Sequence, residues 1–122
     1  MIIGSVTPGK EAIVEITVTG PGGSLSVLAM LDTGFNGHLT LPKESIQKLG
    51  LKPHSVATAK MADGTIVSLV RFSAQVRWLD TDRQIFVLAA ESSSLLGMAL
   101  MYGTRVSIDV VDGGNVVASV IQ

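Results

Sequence analysis

No cysteine occurs in this 122-residue chain, which removes disulfides, thiol nucleophiles and thiolate metal sites together. Histidine is nearly as scarce. His38 and His54 are the only two, without close spacing or a neighbouring cysteine, so no zinc site is expected. Aromatic residues make up 4% of the chain, and nine Lys and Arg stand against ten Asp and Glu for a formal charge of −1. With no basic stripe and few rings to stack on bases, no nucleic-acid partner is expected. No apolar run approaches the roughly 18 residues of a membrane span. Met1-Ile2-Ile3-Gly4-Ser5 lacks the basic start and long apolar stretch of a secretory leader. The expectation is a cytoplasmic protein with no membrane partner.

What the chain has in excess is apolar surface: 47% of residues are hydrophobic and the mean hydropathy is +0.49. A chain of this length builds one domain, 1–122, and so apolar a composition predicts surface buried by association as well as by folding. Strand signals dominate. Val14, Ile16 and Val18 alternate with Glu15, Thr17 and Thr19 after Ala12 in the run Glu11 to Thr19, and Gly20-Pro21-Gly22-Gly23 turns the chain into a return strand, Leu25 to Leu31. That glycine turn lacks the Lys-Ser/Thr ending of a phosphate loop. The return strand is apolar on both faces, which predicts burial on both.

Leu39-Thr40-Leu41 resumes extended structure. Pro42 through Leu49 reads as a short helix, with Ile46 and Leu49 inward and Gly50 ending it. Val56 to Met61 and Thr65 to Phe72 flank Ala62-Asp63-Gly64, a hairpin signal that fits a plain type I′ turn or a functional flap. Alternation continues to Trp78, expected in core or interface, before Asp80-Thr81-Asp82-Arg83 reverses the chain into Ile85 to Ala89. Met98 to Tyr102 forms about one helical turn closed by Gly103. Arg105 to Val111 and Val116 to Ile121 make a last hairpin, with Asp109 pointing outward from its strand.

The segment that carries chemistry is Leu31-Asp32-Thr33-Gly34-Phe35-Asn36-Gly37. Asp32 leaves an apolar strand and enters a turn bracketed by glycines, a position where ionisation is costly without partners and protonation becomes adjustable. Asp with Gly also favours an ordinary Asx-type turn. Leu95-Leu96-Gly97 by itself reads as core followed by a turn. His38 and His54 read as turn and loop residues.

Taken in order, Leu31-Asp32-Thr33-Gly34, Leu39-Thr40-Leu41-Pro42 with its helix, Ala62-Asp63-Gly64 and Leu95-Leu96-Gly97 resemble the retropepsin-like aspartic proteases. The similarity is greatest to the short prokaryotic members, whose single domains act as homodimers, and it spans most of residues 11 to 111. It implies an all-β, partly closed β-barrel with one or two short helices, acting as a homodimer and cleaving peptides without cofactor. Two copies of Asp32, one per subunit, would share a proton and activate water, because paired carboxylates divide base from acid.

By the same resemblance, Thr33 would hydrogen-bond across the dimer and Gly34 would bring its N–H to the carboxylate. Phe35, Asn36 and Gly37 would border the substrate groove, with Phe35 replacing the small residue usual in retroviral relatives. Met61, Ala62, Asp63 and Gly64 would form the flap. Leu95, Leu96 and Gly97 would pack beneath the catalytic loop. The dimer contact would use either terminal strands or the Arg105 to Ile121 hairpin. The alternatives are a catalytically silent dimeric β module that binds peptides or assembles a complex, and a purely structural β-domain.

Overall fold

The computed structural model describes residues 1–91 and 93–122. In chain order it contains β1 (Ile2–Val6), β2 (Ala12–Gly20), β3 (Gly23–Leu31), β4 (Leu39–Pro42), α1 (Lys43–Lys48), β5 (Lys52–Lys60), β6 (Ile66–Trp78), β7 (Thr81–Ala90), β8 (Ser94–Leu96), α2 (Met98–Met101), β9 (Thr104–Ile108) and β10 (Asn115–Val120). The sheet runs β5-β6-β7-β4-β8-β3-β2-β1-β10-β9 and closes on itself where β2 also pairs β6. Six strands, β6-β7-β4-β8-β3-β2, therefore form a closed barrel. Closure satisfies backbone groups that would otherwise line two edges. The β5–β6 hairpin and the β1-β10-β9 wing extend beyond it.

Alternation places the core. On β2, Val14, Ile16 and Val18 are buried while Glu15 and Thr17 between them are exposed, the period-2 pattern of a strand with one inward face. They meet Leu39, Leu41, Val76, Trp78, Ile85, Val87, Leu96 and Leu100 in one cluster. Complete burial of a side chain such as Leu39 contributes about 1.5–3 kcal/mol. Trp78 is a core residue, and its indole N–H donates to Thr104 Oγ1 at 3.2 Å. Among the described residues, no helix is long and apolar enough to cross a membrane.

Several boundaries differ from the sequence reading. Ile2–Val6 is a strand whose apolar pattern was too short to stand out; it is held by β10 on one side and β2 on the other. β5 begins at Lys52 rather than Val56, since a bulge between Pro53 and Ser55 lets the chain pair despite proline. The reversal before β7 is the two-residue turn Leu79-Asp80, both at positive φ (51° and 64°); Asp82 and Arg83 belong to the strand. Asp109 is exposed but lies beyond the end of β9, where its carbonyl accepts from the Val111 N–H at 2.9 Å. β3 is not buried on both faces: Leu28 is 64% exposed, because the barrel covers only the inner side.

Candidate active site

Asp32 stands where β3 ends, half-buried, and its backbone is fixed before its side chain is considered. β3 pairs β8 in parallel, Met30 with Leu95 and Leu31 with Leu96. The ladder continues one residue further, the Asp32 N–H donating to the Leu96 carbonyl at 2.9 Å. Beyond Asp32 the chain is laced to the start of α2. Gly97 N–H donates to the His38 carbonyl (2.9 Å), Met98 N–H to the Phe35 carbonyl (2.8 Å) and Ala99 N–H to the Gly37 carbonyl (3.1 Å). Leu95-Leu96-Gly97 and the Asp32 loop are thus one hydrogen-bonded unit, although more than fifty residues separate them in sequence.

Within the loop, Gly34 N–H donates to Asp32 Oδ1 at 2.9 Å. A side chain on Gly34 would place its Cβ 3.2 Å from that same oxygen, so glycine permits the approach. A charge-assisted bond of this kind holds the carboxylate in one orientation. Thr33, Gly34 and Asn36 are exposed. Thr33 opens onto a cleft of about 370 Å³ shared with Met98, Met101, Tyr102 and Val106. Phe35, read as a groove residue, turns its half-buried ring back onto the loop: Cβ atoms on Gly37 and Gly97 would each fall 2.6 Å from ring carbons of Phe35. Its ring braces the loop from within.

The segment Met61-Ala62-Asp63-Gly64 is the exposed tip of the β5–β6 hairpin. Met61 N–H donates to the Thr65 carbonyl (2.7 Å) and Gly64 N–H to the Met61 carbonyl (2.9 Å). Gly64 sits at φ +88°, the one positive φ in the turn. The turn is therefore not type I′, which needs two such residues in succession; one left-handed glycine ends it. The Thr65 hydroxyl and N–H hold the Asp63 carboxyl below the usual carboxylate range. Among the described residues, no hydrogen bond joins this tip to the Asp32 loop.

Two features escaped the sequence reading. Buried Thr40 accepts the Leu95 N–H at 2.8 Å through Oγ1, anchoring the strand beneath Asp32; a polar residue between two leucines was the available signal. His38, expected as an ordinary turn residue, contacts Phe86 edge-on, ring centroids 6.1 Å apart. Burial first, and the Arg83 charge second, hold its imidazole below the ordinary histidine value of 6.5. The unfolded chain then takes up the proton more readily, so stability is complete above pH 6.5 and is lost as pH falls from there toward the lowered folded value. Denaturant midpoints measured between pH 7.5 and 5 should fall for the parent and fall less for His38→Gln; identical slopes would remove His38 from this role.

Among the described residues, no group of three or more His, Asp or Glu side chains could hold a metal ion. No family model matches the chain, and no curated protein matches it. The structure is similar to the crystal structure of a retropepsin-like aspartic protease from Rickettsia conorii. That similarity covers 97% of this chain and 90% of the other, with a TM-score of 0.53 and 20% sequence identity. The class defined by the barrel and its flanking wing is all-β. The fold is retropepsin-like.

Proposed function

We propose that the chain is an aspartic peptide hydrolase whose site forms when two copies bring their Asp32 side chains together. The observation that carries the reading is Asp32 itself, a half-buried carboxylate oriented by Gly34 N–H on a loop locked to residues 96–99. The retropepsin-like fold supports it. One carboxylate can take or give a proton but cannot do both in one step, so a single chain holds half of the machinery. In the pair, the ionised Asp32 takes a proton from water as its oxygen attacks the scissile carbonyl carbon. The protonated Asp32 gives its proton to the carbonyl oxygen. Collapse of the tetrahedral intermediate breaks the C–N bond: the amine leaves with a proton from one carboxyl, and a hydroxyl of the intermediate gives its proton to the other, which restores the singly protonated pair. The substrate is an extended peptide, with the β5–β6 hairpin as the flap that closes over it.

Site formation is then linked to association by mass action. Specific activity on a peptide library should rise with protein concentration and level off where sedimentation shows the dimer. It should pass through a maximum with pH, since only the singly protonated pair holds both acid and base. Full activity in a sedimenting monomer would sink the shared site. Peptide binding without cleavage at dimer concentrations would assign the silent module.

A further inference from the structure

Both histidines of the chain converge on one side chain far from them in sequence. The His54 ring lies 4.7 Å from the Phe86 ring, tilted by 44°. His38 meets the same ring edge-on at 6.1 Å, and the Arg71 guanidinium stands over it, Cζ 4.8 Å from the centroid. Ser55 joins two of them: Arg71 Nε–H donates to Ser55 Oγ at 2.9 Å, and the same oxygen lies 3.0 Å from His54 Nδ1. Each bond leaves a defined donor set over. Arg71 keeps both Nη groups, the planar edge that matches a carboxylate with two parallel bonds, and His54 keeps Nε2.

Beside Phe86 the outer face carries Lys52 and His54 on β5, Arg71 on β6 and His38 just before β4. Further along the same face Asp82 stands opposite Arg77, and Arg83 has the inward parity of Ile85 and Val87. Arg83 Nη1 donates to the Leu100 carbonyl at 2.8 Å. Among the described residues, the ion pair of the chain is Arg77–Asp82 at 3.2 Å, six residues along β6 from Arg71; no carboxylate reaches Arg71. The two neighbours of Phe86 on β7, Ile85 and Val87, are buried in the barrel, so Phe86 and its partners occupy the outer face of the sheet. Small ligands are held in concave pockets; an outward sheet face with aligned donors suits a group presented by another chain.

We propose that His54, Arg71 and His38 around Phe86 form a binding site for an acidic polypeptide segment, whose carboxylate is held by the Arg71 Nη edge and His54 Nε2. Phe86 keeps the guanidinium flat, and Ser55 sets the rotation of the arginine and the imidazole. The proposal is independent of peptide hydrolysis, so its failure leaves the role of Asp32 untouched.

With only two histidines in the chain, each imidazole gives its own NMR signal. Hexaglutamate peptide titrated into the whole protein at pH 7 should shift both, and should raise both titration midpoints; hexaglutamine should do neither. Arg71→Gln should weaken hexaglutamate binding about tenfold or more, the loss of a charge-assisted pair, and Arg71→Lys should bind between the two, its charge kept and its planar edge gone. Unchanged backbone spectra away from the cluster verify that the variants fold. Silence of both histidines toward hexaglutamate, equal response to hexaglutamine, or full affinity in Arg71→Gln would overturn the site. A response to inorganic phosphate with none to hexaglutamate would overturn the carboxylate assignment.

Discussion

Asp32→Asn is expected to lower peptide cleavage by about 100- to 10,000-fold or more, the usual cost of losing a general acid or base, while leaving fold and association intact. The amide has the shape of the carboxylate, and its oxygen can still accept the Gly34 N–H that Asp32 Oδ1 accepts at 2.9 Å. It cannot take a proton from water. The backbone bonds that hold the loop, Asp32 N–H to Leu96 and those from Gly97, Met98 and Ala99, do not involve the carboxylate and survive the change. Cleavage assays at saturating protein, with sedimentation and thermal melting alongside, separate chemistry from folding. Turnover near that of the parent would end the aspartic mechanism.

Gly97→Ala is expected to damage stability and activity together. Gly97 has φ −101° and ψ −179°, ordinary extended backbone open to any residue, so the constraint is space and not conformation. A methyl group there would press on the Gly37 carbonyl oxygen and stand 2.6 Å from both the Phe35 carbonyl oxygen and a Phe35 ring carbon. Those oxygens accept from Ala99 and Met98, so neither can retreat without breaking a bond that seats the Asp32 loop. Overpacking of this kind costs about 1–3 kcal/mol, and displacing the loop by about 1 Å lowers the rate by about 100-fold. The denaturant midpoint should fall with an unchanged m-value, and kcat should fall in protein still folded. A variant as stable and active as the parent would show that the close passage does not constrain the site.

Local rules made much of this legible. Period-2 alternation in β2 gives its inward face, Pro42 marks the start of α1, Gly103 closes α2, and Asp63-Gly64 places a hairpin tip. These signals act between neighbours in sequence, where backbone freedom and alternation decide the outcome. Apart from the turns at Leu79-Asp80 and Gly64, the differences lie in strand extent and burial. β1 is a strand because β10 and β2 flank it, and β5 reaches back to Lys52 because β6 pairs across a bulge at Pro53. Leu28 is exposed because closure of the barrel gives β3 one inner side.

The β class, the absence of thiol chemistry and the acid on a glycine-bracketed turn follow from residue type and short-range spacing. Three-dimensional packing fixed the rest: β6 closes on β2, Phe35 folds onto Gly37 and Gly97, Thr40 anchors Leu95, and His38, His54 and Arg71 gather around Phe86. Barrel closure and the approach of His38 to Phe86 depend on strand register between segments dozens of residues apart. A shift of one residue turns every side chain to the opposite face, so composition and local pattern do not specify these contacts.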